Sequence, residues 1–288
     1  MDWVNAILQG ILIGGLYALF AAGLSLIFGV MRLVNVAHGD LIVFAAFLGL
    51  VITQTIGLHP FLSFIVVVPI MGLLGYYLQR FVLNKVIGDD ILPPLLVTFG
   101  LSVIIQNALL EIFSADNQKM TAGAIESMGI ELGGGINIGV LPLIIFLSAV
   151  GVIASLQWVF YRTALGRAFR ATSDNQRVAQ LMGLDNRHVY GLAMALSMVV
   201  VAIAGIFLGV RTSFDPAVGP ARLIFGFEAV IIGGLGNLWG TLIGGMILGV
   251  SQSLGAKINP GWQLLAGHIA FLIVLAVRPR GLFPRVDG

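Results

Sequence analysis

An all-α, polytopic membrane helix bundle is the fold class this sequence predicts, with about 8 to 10 spans, some broken or re-entrant. Three observations predict it. Hydrophobic residues make up 58% of the 288-residue chain and charged residues 10%, and the mean hydropathy is +1.03; a soluble domain carries roughly a quarter charged residues. Stretches without Lys, Arg, Asp or Glu recur along the whole chain, and each reaches the ~20 residues needed to cross hydrocarbon. Finally, polar glycine-containing segments interrupt the apolar sequence near both ends, at 33–40 and 233–240.

The first span is expected near residues 4–30. It lacks a basic leader and a small-residue cleavage site, so it reads as a retained helix and not a signal peptide. Leu33-Val34-Asn35-Val36-Ala37-His38-Gly39-Asp40 then breaks the pattern. Spans at 41–56 and 61–83 follow, separated by the turn Gly57-Leu58-His59-Pro60. The fourth span, 91–113, carries Thr98, Ser102 and Gln106 every four residues on one face. The loop after it holds Glu111, Asp116, Glu126 and Glu131 with Lys119 as its lone cation, which suits the outer side. A fifth span, 138–160, leads to an Arg162–His188 loop bearing Arg162, Arg167, Arg170, Arg177 and Arg187 against Asp174 and Asp185. Positive charge places that loop, and the tail with Arg278, Arg280 and Arg285, on the cytoplasmic side. Spans at 189–210, 223–235, 238–254 and 262–277 complete the chain, with Gly233-Gly234-Leu235-Gly236-Asn237-Leu238-Trp239-Gly240 as the second interruption. The span count puts the N-terminus outside. Paired breaks in two halves point to a transport pathway and raise an inverted repeat, which the parity of the second half leaves open.

Composition excludes several classes. With no cysteine there are no disulfides, iron–sulfur clusters or thiol nucleophiles. A formal charge of +2 and a pI of 9.2 reflect arginine near the membrane surface and do not argue for nucleic acid. There is no Gly-Lys-Ser/Thr phosphate loop, no His-Glu-x-x-His and no Gly-x-Ser-x-Gly. The pairs Gly10/Gly14, Gly205/Gly209, Gly240/Gly244 and Gly245/Gly249 have the spacing that lets helix backbones approach, and internal packing is the expected use.

The candidate functional residues are polar groups in apolar sequence. Thr98, Ser102 and Gln106 form either one wall of a solute pathway or a set of interhelical hydrogen bonds. Asn35, His38 and Asp40 are too few and too closely spaced for a metal site; Asp40 reads as an N-cap for a helix starting at Leu41, with a gating role as the alternative. Glu228 is an intramembrane acid and thus a functional candidate, or it sits near the headgroups and pairs with Arg222. His59 and His188 fall at span ends and His268 inside the last span, none with a partner at catalytic spacing.

With these residues in view, the chain resembles the integral-membrane permease of branched-chain amino-acid ABC importers, from about Gln9 to Phe283. The motifs that carry the resemblance are Asn35-Val36-Ala37-His38-Gly39-Asp40, then Gly166-Arg167-Ala168-Phe169-Arg170-Ala171 with Asp174, Ala179, Leu181, Met182 and Gly183, then Gly233-Gly234-Leu235-Gly236-Asn237, and the ending Arg278-Pro279-Arg280-Gly281-Leu282-Phe283. The resemblance implies one transmembrane permease domain over 1–288 with a fold like that of type II ABC importers, in a bacterial cytoplasmic (inner) membrane. It implies that 166–183 is a coupling helix docking on a cytoplasmic ATPase, with Gly166, Arg167, Ala168, Arg170, Ala171, Asp174, Leu181 and Gly183 in that role; the alternative is a basic loop held by anionic lipid. Asn35, His38, Asp40, Thr98, Ser102, Gln106, Glu228 and Asn237 are the pathway candidates. The implied partners are a second permease, identical or homologous, two ATPases that hydrolyse the ATP, a periplasmic or extracellular solute-binding protein, and membrane lipid. No cofactor is expected in this chain. Relatives carry urea or short amides, and Phe227-Glu228 departs from the usual pattern. Against this stand a self-sufficient channel for urea or glycerol-like solutes and an intramembrane enzyme using His38, Asp40 or Glu228.

Overall fold

The computed structural model describes residues 2–88, 90–131 and 136–284, so Arg285 of the basic tail lies outside the described residues. Eleven helices carry the fold among them: α1 Asp2–Met31, α2 His38–Ile56, α3 Phe64–Phe81, α4 Leu92–Phe113, α5 Val140–Arg162, α6 Ala164–Asp174, α7 Gln176–Leu181, α8 Asn186–Arg211, α9 Gly219–Gly233, α10 Leu238–Ile258 and α11 Gln263–Val277. A small hairpin pairs Gly129–Glu131 (β1) antiparallel with Asn137–Gly139 (β2) in the acidic loop. Eight helical segments are long and apolar enough to cross a membrane. At 15 residues α9 is too short to be a ninth, reaching about 22 Å at 1.5 Å per residue.

One end of the bundle carries most of the arginines and the other the acidic loop. The N-terminus lies at the acidic-loop end, as the span count expects: Gln9 donates to the Asn137 carbonyl (2.7 Å) and Lys257 pairs with Asp2 (3.4 Å). α1 and α10 run antiparallel in backbone contact, because a side chain at Gly14 would meet Met246 Cα at 2.5 Å and one at Gly10 would meet Val250 Cα at 2.5 Å. The packing use of Gly10/Gly14 and Gly245/Gly249 is thus realised within one chain.

The break that matches 33–40 is not the interruption at 233–240, which is the turn between α9 and α10, but the crossover at 212–218, and these two have the same construction with opposite sense. Arg32, at φ 53°, turns the chain out of α1, and residues 33–36 run back beside it before α2 starts. His38, at that start, bonds the Phe20 carbonyl, about 16 Å before the end of α1 at 1.5 Å per residue. In the second half α8 runs to the acidic-loop end, where Gln118 bridges to Phe214, and the chain turns back over 212–218. α9 then begins against the start of α2, with the Gly39 and Gly219 backbones in direct contact. The exchange extends through the fold. α2 lies along α8 and α9 along α1; α3 packs on α8 and α10 on α1; α4 flanks α2 and α11 flanks α9. The quartets α1–α4 and α8–α11 are therefore inverted repeats, with α5, α6 and α7 between them. Burial follows: 83% of the most apolar window of α1 and 78% of that of α8 is buried, against 17% in α4 and 6% in α11. Helices α4 and α11 are the walls toward lipid or a neighbour.

The helix limits depart from the sequence reading at the breaks. The span expected at 41–56 begins at His38, and the one expected at 223–235 begins at Gly219. α2 starts on His38-Gly39-Asp40 and α9 on Gly219-Pro220-Ala221-Arg222, both ahead of the apolar pattern.

Candidate functional site

Two stretches of sequence far apart build a polar cluster at the start of α2. The Asn35 side chain accepts from the Ala37 N–H (3.1 Å) and its carbonyl from the His38 N–H (3.2 Å), a local turn that launches the helix. The Val36 N–H donates to Thr98 Oγ1 (3.2 Å). A carbonyl can only accept, so His38 carries its proton on Nε2 and donates to Phe20 (2.9 Å). Asp40 accepts from Ser102 Oγ (2.5 Å) and from Gln106 Nε2 (2.9 Å), and Gln106 also reaches Ser102 (3.2 Å). Asn35, His38, Asp40, Thr98 and Ser102 are all buried. The N-cap reading of Asp40 is corrected here. The helix begins three residues earlier, at His38, its N-cap is Ala37, and the Asp40 carboxylate bonds α4 instead.

The second cluster joins the other half. Glu228 on α9 pairs with His268 Nδ1 on α11 at 2.5 Å. This overturns the expectation that Glu228 sits near the headgroups or pairs with Arg222: its side chain is 5% exposed, and its ion-pair partner among the described residues is His268. It also gives His268 the partner that sequence spacing did not show. The Phe225 ring lies 5.1 Å from Tyr17 and 6.5 Å from His268, and Tyr17 Oη donates to Gln252 Oε1 (2.6 Å). Tyr17 and Gln252 went unnoticed in the sequence; the signal available was one polar group among several inside each charge-free run. Removing the histidine alone strands a buried carboxylate. His268→Leu is therefore expected to lower stability by about 1–3 kcal/mol, the low end because the imidazole is 41% exposed. Adding Glu228→Gln should return most of it. Thermal unfolding in detergent checks this, and equal melting temperatures for wild type and His268→Leu would discount the pair.

Asn237 belongs to neither cluster. It caps α10, accepting from the Gly240 N–H (2.9 Å), and its amide holds the Phe283 carbonyl (3.0 Å). The tail is strapped there, with Leu282 and Phe283 N–H groups donating to the Ile232 and Gly233 carbonyls (2.9 and 3.2 Å) that end α9. The tail thus satisfies acceptors that a helix end leaves open.

The arginine-bearing elbow is two helices, α6 and α7, and not the single helix expected over 166–183. Asn175 separates them by capping α7, accepting from the Arg177 and Val178 N–H groups (3.1 and 3.0 Å). Gly166 abuts the Val159 and Phe160 carbonyls so closely that no side chain fits, and Phe169 is buried against Phe160 with ring centres 5.4 Å apart. Ser173 donates to the Gly29 carbonyl (2.7 Å), tying the elbow to the end of α1. At its far end Asp185 caps α8. Burial raises its pKa, but the His188 and Arg187 N–H groups and Arg80 outweigh that and hold the carboxyl below its usual range. Arg170 is not the outward-facing cation expected: it donates to the Phe160 carbonyl and its guanidinium lies 5.2 Å over Tyr161. Arg167, Ala171, Asp174 and Gly183 are exposed and Ala168 half-buried. Leu181 and Met182 are 82% and 80% exposed, an apolar tip left uncovered among the described residues.

The family model described as "Branched-chain amino acid transport system / permease component" matches residues 6–277. The high-affinity branched-chain amino acid transport system permease protein BraD of Pseudomonas aeruginosa is 25% identical, over 99% of this chain and 97% of its own. The probable branched-chain amino acid transport permease protein LivH of Methanocaldococcus jannaschii is 28% identical, over 96% and 91%. The permease LivM of Escherichia coli is 24% identical, over 93% and 68%. Among solved structures, PsaBC from Streptococcus pneumoniae in complex with Fab aligns over 96% of this chain and 91% of its own, with a TM-score of 0.48 and 17% identity.

Proposed function

Since the chain belongs to the family of permease components of branched-chain amino acid transport systems, we propose that it carries branched-chain or related amino acids across a bacterial inner membrane as one permease of an ATP-driven importer. Its partners in this reading are a second permease, two cytoplasmic ATPases and an external solute-binding protein. The observation that carries it is the elbow. A buried Phe169 and a glycine contact anchor α6 to α5, a hydroxyl anchors it to α1, and the apolar tip at Leu181 and Met182 is left unpaired on the arginine-rich face. Positive charge places that face in the cytoplasm. An ATPase gripping the tip would pull on both inverted repeats, since α6 bonds α1 and Gln176 of α7 accepts from Asn186 of α8 (2.9 Å). ATP is hydrolysed by the ATPases and not by this chain. The polar clusters at Asp40 and Glu228, one on each short helix start or body, are the proposed pathway elements, with Asn35, His38, Thr98, Ser102 and Gln106 beside the first.

The test uses the transporter assembled with its partners. Leu181→Asp with Met182→Asp should remove copurifying ATPase and lower ATP-dependent l-leucine uptake at least tenfold, with the melting temperature of the permease unchanged. Arg167→Glu should weaken both in the same direction, by a smaller factor. Arg170→Glu is a poor probe because its guanidinium holds α5. Wild-type chain that purifies alone and passes urea or leucine without ATP would replace this reading with that of a self-sufficient channel.

A further inference from the structure

Around Tyr17, on the acidic-loop side of the Glu228–His268 pair, the described structure collects hydrogen-bond donors without acceptors. Arg211 ends α8 and Arg222 lies in the first turn of α9, flanking the 212–218 crossover, and both lie within electrostatic range of the Tyr17 oxygen. Arg222 precedes Phe225 by three residues and shares its face of α9; the Phe225 ring in turn stacks beside Tyr17. Neither arginine is in an ion pair among the described residues. Arg211 Nη1 and Arg222 Nε are buried without partners. Gln252, fully buried, gives its oxygen to Tyr17 and leaves Nε2 with nothing to donate to. Of the nearby acids, Glu228 holds His268, while Asp215 accepts from the Ala217 N–H (2.8 Å) and acts on Arg222 electrostatically without forming an ion pair with it. Guanidinium groups in a membrane interior are costly unless matched by an anion.

We propose that Arg211, Arg222 and Gln252, gathered around Tyr17, form a carboxylate-binding station for the solute in the outer half of the permease. The inference deepens the transport reading above and rests on it for the identity of the solute. A forked guanidinium matches a planar carboxylate through paired N–H bonds, and the Gln252 amide adds a neutral donor. The station lies where α8 and α9, one from each side of the second break, meet α1 of the opposite repeat. A shift of one repeat against the other would therefore alter the spacing of the two arginines.

The test measures thermal stability of the purified full chain in neutral phosphatidylcholine nanodiscs, with l-leucine, l-leucinamide or inorganic phosphate. Leucine should raise the melting temperature and leucinamide, which lacks the carboxylate, should not. Arg211→Gln with Arg222→Gln should weaken the leucine response at least tenfold in concentration, and Arg222→Lys alone should keep part of it. If the double variant does not fold, Gln252→Leu with Tyr17→Phe supplies the same test from the other side. A leucine response that survives these changes, its absence in wild type, or an equal response to phosphate overturns the station. Failure of ATP-driven uptake with the leucine response intact would instead count against the importer reading.

Discussion

Gly219→Val is expected to abolish the folded permease. At this residue the start of α9 crosses the start of α2: the Gly219 carbonyl lies where a side chain on Gly39 would stand, and Asp40 Oδ1 lies where one on Gly219 would stand. Both partners are backbone or a carboxylate held by two hydrogen bonds, so nothing can yield. Overpacking a tight core costs about 1–3 kcal/mol where side chains can shift and more where they cannot, and here the two breaks would be driven apart together. Monodisperse protein in mild detergent should fall to background, and Gly39→Val should behave alike. Gly100→Ala is the control. Gly100 lies in α4 with no atom within 4 Å of an added methyl, so the change should be neutral or slightly stabilising. A Gly219→Val chain that elutes and melts like wild type would mean that the two helix starts do not touch.

Asp40→Ala should cost about 2–4 kcal/mol, because it leaves the buried Ser102 hydroxyl without an acceptor, at about 1–3 kcal/mol, and the half-buried Gln106 amide without one, at the low end of that range. Asp40→Asn keeps one oxygen and should cost about half as much. The combination Asp40→Leu, Ser102→Ala and Gln106→Leu removes donors and acceptor together and should recover most of the stability. Melting temperature and leucine uptake read side by side then separate two roles. The expected result is an apolar triple variant that melts near wild type and transports less than a tenth as much. Full transport by that variant would make the cluster a fastening and nothing more.

Much of this molecule is legible along the chain. Charge-free runs locate most of its helices, because a segment exposed to hydrocarbon must bond its own backbone and carry apolar side chains. Arginine-rich and acidic loops sort the two ends, and the polar breaks at 33–40 and 233–240 mark unusual backbone, although the second repeat's own break lies earlier, at 212–218. The repeat is hard to see because its halves share construction and not residues: Arg32 at φ 53° turns one break, and a longer crossover with Asp215 makes the other.

Composition and periodicity by themselves determined a polytopic α-helical membrane protein with a basic elbow, since burial in lipid acts on each segment separately and is written into each segment. Partnership was decided only by the tertiary structure. That Asp40 bonds α4, that Glu228 meets His268 rather than Arg222, that Arg170 folds back onto α5, and that Arg211 and Arg222 gather at Tyr17 all depend on helices far apart in sequence. A polar side chain in an apolar run shows that it needs a partner; which one it takes is set by how the two inverted halves close on each other.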